Sequence, residues 1–215
     1  MRFSRRSTYL IAALFCVLFV AAVYGRSYAL DARVKYVIDG DTIVLTNGVK
    51  VRYMGINAPE VPHKDEKGEP LGIEARKRNK RLVQGKFVHL EYGAEKKDRF
   101  GRRLAFVFLR DGRMVNEILV SEGLAFVCMF NKRMKYRQRL LNAQKDAIKR
   151  KVGLWALSPT RPEPFYIGNK RTLRFHRPGC PYGRKTWAGN RVIFKEPKDA
   201  YLKGYCRCKK CLPFP

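Results

Sequence analysis

The stretch RVKYVIDGDTIVLTNGVKVRYMGI, Arg33 to Ile56, constrains the fold more than any other part of the chain. Two turn signals, Asp39-Gly40 and Asn47-Gly48, cut it into short runs rich in β-branched residues. Asn-Gly between two such runs predicts a tight hairpin, because both residues tolerate the backbone that the turn needs. KFVHLEY follows, with Val88, Leu90 and Tyr92 on one face, the period of a half-buried strand. RRLAFVFL is the next run, and Asp111-Gly112 turns it. Helical stretches lie between and after the strands. GIEARKRNKRLV leads to Gly85, and MVNEILVSEG stops on Gly123, a favourable C-terminal residue for a helix. YRQRLLNAQKDAIKRKVG sets Leu140, Leu141, Gln144, Ala147 and Ile148 near one face and ends at Gly153. Four or five short strands with a few helices predict a mainly β fold, a small barrel that closes on itself.

Composition and breaks divide the rest. LSPTRPEP, Leu157 to Pro164, holds three prolines in eight residues and reads as a linker over 158–164. The domain is then 30–157, and a short basic tail over 165–215 carries four of the six cysteines. At the other end, Arg2, Arg5 and Arg6 precede the apolar run YLIAALFCVLFVAAVYG, the pattern of a secretory signal over 1–29 or of an N-terminal anchor in the inner membrane. Either one predicts an exported protein: periplasmic, extracellular, or membrane-anchored and facing outward. The 46 Lys and Arg against 18 Asp and Glu leave a net charge of +28. A charge of that sign attracts polyanions, and DNA or RNA is the usual one, with an anionic surface as the alternative.

Three segments place polar residues where a strand prefers apolar ones: DGDT at Asp39 to Thr42, Arg52 with INAPE, and KKDRFGRRLA with Asp98, Arg99, Arg102 and Arg103. Phosphodiester hydrolysis calls for such a set. Charge builds on the non-bridging oxygens, where guanidiniums clamp it bidentately. A hard divalent cation on oxygen ligands neutralises the remainder, and a carboxylate positions or deprotonates the water. Asp41 and Glu60 are the carboxylates offered, and Arg52 and Arg102 the guanidiniums. Pro59 restricts Ala58 to extended backbone and so aims Glu60. Each piece alone is ordinary; a DGDT is usually a turn and an Arg on a strand usually a solvated edge residue.

In this order and spacing, VIDGDTIVL, VRYMGINAPE, GIEA, DRFGRRLAFVF and MVNEILVSEGLAFV resemble the successive motifs of the thermonuclease, or staphylococcal-nuclease-like, family, from about Val34 to Trp155. The resemblance implies an OB-fold five-stranded barrel with packed helices. It also implies a secreted, calcium-dependent, sugar-nonspecific nuclease that leaves 3′-phosphate ends. Carried over, Asp41 is a metal ligand, Ala58 lends its carbonyl, Arg52 and Arg102 clamp the phosphate, and Glu60 is the general base or positions the water. Asp39 matches a further acidic position. The sequence departs from the family at Asn57, where a charged metal ligand is usual; the amide keeps an oxygen but loses the charge, which weakens calcium binding. It departs again at Met129 and Asn131, where base-stacking tyrosines are usual.

In the tail, three residues separate His176 from Cys180, and two separate Cys208 from Cys211. Two such clips have the spacing of a tetrahedral structural zinc site, and a fragment this small needs a staple. Disulfides among the tail cysteines are the alternative, with Cys206 a spare. YIGNKRTLRFHRPGC, NRVIFKEPKDAYLKGY and CKKCLP resemble the zinc-binding domain of the Ada alkylation-response proteins over about Phe165 to Pro213. That implies a small zinc-stapled α/β module binding DNA. The family's methyl-accepting cysteine is here His176, so methyl transfer is not expected. Arg171, Arg174, Arg184, Lys185 and Arg191 are its candidate nucleic-acid contacts.

Of the remaining residues, His63 and His89 read as surface or packing histidines, Trp155 and Trp187 as packing residues, and Cys128 as a buried thiol. Taken together, the chain reads as an exported endonuclease using calcium, or another divalent cation, with a zinc module that holds nucleic acid. The other reading is a non-catalytic nucleic-acid-binding protein of the envelope with an impaired metal site.

Overall fold

A computed structural model describes residues 29–63, 67–129, 133–157 and 162–211, with the side chains of 29, 30 and 94–96 outside the description. The expected signal or anchor, Asn131, most of the linker and the last four residues fall outside the described residues. Among those that are described, no helix is long and apolar enough to cross a membrane.

Five strands form a closed barrel: β1 (Ala29–Val37), β2 (Thr42–Leu45), β3 (Lys50–Tyr53), β5 (Phe87–Lys97) and β6 (Arg103–Phe108), in the order β1-β2-β3-β6-β5. The Asn47-Gly48 hairpin joins β2 to β3 as its residues predict, with Gly48 at φ 82° and Asn47 Oδ1 accepting from the Val49 N–H at 3.1 Å. Alternation does the rest. In β3, Val51 and Tyr53 are buried while Lys50 and Arg52 lie on the outer face. Closure removes the exposed edges that short strands otherwise leave. A short pair, β4 (Ile56–Asn57) with β7 (Phe126–Val127), sits beside the barrel.

Helix α1 (Gly72–Val83) covers the residues read as helical, and it buries Ala75, Asn79, Leu82 and Val83 on one side. Asn79 is polar and wholly buried, and both ends are satisfied: its Oδ1 accepts from the Tyr53 hydroxyl at 2.8 Å, and its Nδ2 donates to the Asp39 carbonyl at 3.1 Å. The helix is thereby pinned behind the Asp39–Asp41 turn. Helices α2 (Val115–Ser121) and α3 (Arg137–Arg150) pack on each other. Leu140, Leu141, Gln144 and Ala147 of α3 are buried, whereas Ile148 is only half-buried.

The tail builds a second sheet, ordered β10 (Arg191–Phe194), β8 (Tyr166–Asn169), β9 (Arg174–His176) and β11 (Cys206–Arg207), with β11 parallel to β9. Two short helices accompany it, α4 (Pro181–Arg184) and α5 (Pro197–Leu202). The tail packs directly on the barrel side. Tyr201 meets Phe126, Trp155 and Phe175 edge-on, with centroids 5.0–5.3 Å apart. Gln144, fully buried, bridges the two by accepting from Val127 N–H at 2.7 Å and donating to the Tyr201 carbonyl at 2.6 Å.

Two expectations are corrected here. Cys128 is not a free thiol: it forms a disulfide with Cys206, 78 residues away, so Cys206 is not a spare. The cause is the docking of the tail, which brings β11 to β7. Trp187 is not a packing residue; it is 72% exposed, on a turn with too few neighbours to cover an indole. Trp155 does pack, half-buried against Tyr201.

Candidate active site and cysteine–histidine cluster

The site begins at the Asp39–Asp41 turn. Asp39 Oδ1 accepts the Asp41 N–H at 2.8 Å, a side-chain turn that Asp forms readily. Gly40 lets this turn touch the Asn57–Glu60 segment and α1: a Cβ there would stand 2.5 Å from Ala58 Cβ and 2.8 Å from Ala75 Cβ. Gly72, opening α1, lies equally close, since a Cβ would come 2.3 Å from the Glu60 carbonyl oxygen. Two glycines therefore press the segment carrying Asn57, Ala58 and Glu60 between turn and helix.

Asp41 is 4% exposed. Its Oδ2 accepts the Ala58 N–H at 2.6 Å and meets Arg52 Nη1 at 2.8 Å. Arg52 reaches across with Nη2 to Asn57 Oδ1 at 3.0 Å, and Asn57 Nδ2 donates to the Ala58 carbonyl at 3.0 Å. Thr42, paired with Arg52 across the β2–β3 ladder, donates its hydroxyl to Asp41 Oδ1 at 3.2 Å. Arg102 Nη1 in turn points to Thr42 Oγ1 at 3.4 Å. Asp98 holds Arg102 from behind, with Oδ2 accepting from Nε at 2.8 Å.

The electrostatics follow from burial. Desolvation pushes the Asp41 carboxyl up to about 8; Arg52 pulls it down, and Asp39 adds to the rise. Asp98 is also penalised by burial, but the Arg102 guanidinium and two backbone N–H groups outweigh this and hold it below the usual range. Asp41, Asn57 and Ala58 contribute a carboxylate, an amide oxygen and a carbonyl oxygen within one chain of contacts. That all-oxygen donor set fits a hard divalent cation, which would favour the ionised form that burial alone penalises. The arrangement therefore offers oxygens for a cation beside the Arg52 guanidinium, with Arg102 joined through Thr42.

The structure thus brings Asp41, Arg52, Asn57 and Ala58 together, with Arg102 joined through Thr42. Glu60 lies two residues beyond Ala58, but its carboxylate is engaged from elsewhere: Oε1 meets Lys209 Nζ of the tail at 2.5 Å. Thr42 and Lys209 are the members that sequence reasoning missed. Thr42 lies within the DGDT segment, where a hydroxyl carries no signature of its own. Lys209 left no signal, because 149 residues separate it from Glu60.

In the tail, His176, Cys180, Cys208 and Cys211 converge, their ligand atoms all within 4.8 Å of one another. His176 and the thiols of Cys180 and Cys208 are buried, and Cys211 is half-buried. Burial, then the charge of Arg174, lowers the His176 imidazole below its usual range, which favours the neutral form that ligation requires. Burial raises the Cys180 thiol, but the Gly183 N–H, the Cys211 thiol and the Tyr182 N–H outweigh it and bring its pKa below normal. Burial pushes Cys211 up to about 12. Three thiols and an imidazole at these separations fit tetrahedral zinc. The disulfide alternative does not hold among these three cysteines, which are free. Among the candidate nucleic-acid contacts, Arg171, Arg184, Lys185 and Arg191 are exposed. Arg174 is half-buried, with Nη1 donating to the Arg207 carbonyl at 3.2 Å. His63 is exposed, and His89 Nδ1 meets Asp31 Oδ1 at 3.0 Å.

A closed five-stranded barrel with helices on it, and carboxylate, amide and guanidinium groups gathered beside the β1–β2 turn, defines a class. The sequence matches the staphylococcal nuclease homologue family over residues 50–157. It is 40% identical over 123 residues to the thermonuclease of Staphylococcus hyicus, covering 56% of this chain and 72% of that one. To the thermonuclease of Staphylococcus intermedius it is 38% identical over 136 residues, covering 62% and 78%. To the endonuclease YncB of Bacillus subtilis it is 38% identical over 126 residues, covering 56% and 59%. The chain belongs to the staphylococcal nuclease homologue family.

Proposed function

We propose that the protein is an exported metal-dependent endonuclease that hydrolyses DNA and RNA phosphodiester bonds, leaving 3′-phosphate ends. The observation that carries this is the continuous network from Arg102 through Thr42, Asp41 and Arg52 to Asn57. Asp41, Asn57 and the Ala58 carbonyl would hold calcium, which when bound supplies a Lewis acid at the phosphate. Arg52 and Arg102 clamp the non-bridging oxygens, and Glu60 orients or deprotonates the attacking water. The names of the related thermonucleases and endonuclease support the reaction class. Export is supported by the Cys128–Cys206 disulfide, a bond that persists in oxidising compartments, and by the composition of residues 1–29.

The tail is a zinc-stapled module that adds affinity for nucleic acid. Zinc on His176, Cys180, Cys208 and Cys211 is structural and supplies folding energy to a small sheet. Exposed Arg171, Arg184, Lys185 and Arg191 form a cationic surface, and exposed Tyr182 and Trp187 alternate with them along the chain. Aromatic rings among cations suit unpaired bases and backbone phosphates. The domain division at 158–164 belongs to this reading as well.

A second reading has one observation in its favour. Arg52 lies across both Asp41 and Asn57, the oxygens a cation needs, and Asn57 lacks the charge to compete with it. That reading is a binding protein with an impaired metal site. Cleavage of plasmid and RNA by the protein in calcium, magnesium, manganese or chelator separates the two. Metal-dependent cutting lost in Glu60→Gln and Arg102→Ala supports the enzyme; DNA binding without cutting in any metal supports the binder. Zinc content by atomic absorption, expected at about one per chain and absent in Cys208→Ser, tests the module.

A further inference from the structure

Glu60 is held almost entirely by residues from elsewhere in the chain. Its N–H donates to Glu69 Oε2 at 3.1 Å, and its carbonyl accepts the Glu69 N–H at 2.8 Å. Glu69 is fastened through its other oxygen, Oε1, to Arg207 of the tail. The Glu60 side chain is fastened by Lys209. Arg207 is 3% exposed, with its guanidinium 5.5 Å from the centre of the Phe126 ring. Four successive tail residues therefore have fixed partners: Cys206 the disulfide to Cys128, Arg207 the Glu69 carboxylate, Cys208 the cysteine–histidine cluster, Lys209 the Glu60 carboxylate.

Stability does not explain the last contact. The Lys209 and Glu60 side chains are 58% and 52% exposed, and exposed ion pairs contribute little to stability. Position does explain it. Glu60 stands on the surface past the end of β4, and a free Glu there samples several rotamers. A general base works only within hydrogen-bond reach of its water, and a misplacement of about 1 Å can cost about 100-fold in rate. We infer that Lys209 is a positioning residue of the nuclease site: the Cys206–Lys209 segment of the tail braces the segment that carries Glu60, and the Lys209 ammonium sets the direction of its carboxylate. This rests on the reading of Glu60 as the residue that handles the water.

Steady-state cleavage of a thymidine oligonucleotide in calcium tests it, using the full chain. Lys209→Gln is expected to lower kcat about 3- to 30-fold with KM within about 2-fold, and Lys209→Arg to restore most of the rate. The melting temperature should stay within about 1 °C, as exposure implies. Lys210→Gln, at the neighbouring exposed cation, is expected to cleave as the unsubstituted protein does. Unchanged kcat in Lys209→Gln overturns the brace. So does a loss in KM alone, which would make Lys209 a substrate contact, and so does a faster enzyme, which would make it a lock. Glu60→Gln, run in parallel, separates the two levels: if it cleaves normally, the reading of Glu60 itself fails.

Discussion

Asn57 and Asp41 decide how the site handles a cation. Asn57 Oδ1 is spent on Arg52, and its amide brings no charge to offset that of a divalent ion. Asn57→Asp is expected to tighten calcium by about 10-fold, read as the half-saturating concentration for cleavage or for thermal stabilisation. Asp41 carries the pH dependence. Its folded pKa is raised, to about 8, so its contribution to stability is whole below about pH 4 and is lost as pH rises toward 8. In chelator, melting temperature should fall over that window, and Asp41→Asn should flatten the fall by at least about 2–4 °C at pH 9. An equal slope in the variant would mean that burial of this carboxyl is not what the fold resists.

At the scale of elements, the β1–β2 turn, the Asn57–Glu60 segment and α1 form one three-way contact, and glycine makes it close. Gly40→Ala places a methyl 2.5 Å from Ala58 Cβ and 2.8 Å from Ala75 Cβ, so the turn or its neighbours must shift. A loss of about 1–3 kcal/mol in urea unfolding is expected, with weaker metal dependence because Ala58 is displaced. Much of this level was legible. Asn47-Gly48 marked its hairpin, Val88 and Leu90 marked the inner face of β5, and the residues of α1 were read to their ends, because each signal is local. Ile148 was overcounted because periodicity places a residue on a face without saying how far that face is covered.

For the whole molecule, the tail is a wall of the nuclease domain. Tyr201 packs into the barrel side, Gln144 bridges to it, and the Cys128–Cys206 bond ties it. Closing a separation of 78 residues is worth about 4–5 kcal/mol in lost chain entropy. Cys206→Ser is expected to cost most of that in chemical unfolding and to lower kcat, since Arg207 and Lys209 would lose their anchor; reductant should reproduce both effects in the unsubstituted protein. The sequence by itself determined the strands of the barrel, the hairpin, the turn at Asp41 and the two clips of the cysteine–histidine cluster. All of these arise from residues near one another in the chain or from alternation along a strand. Only the tertiary structure decided that Cys128 is oxidised, that Trp187 faces solvent and that Lys209 meets Glu60. Each depends on where the tail docks, and docking depends on the shapes of two surfaces, to which no short-range pattern in a chain corresponds.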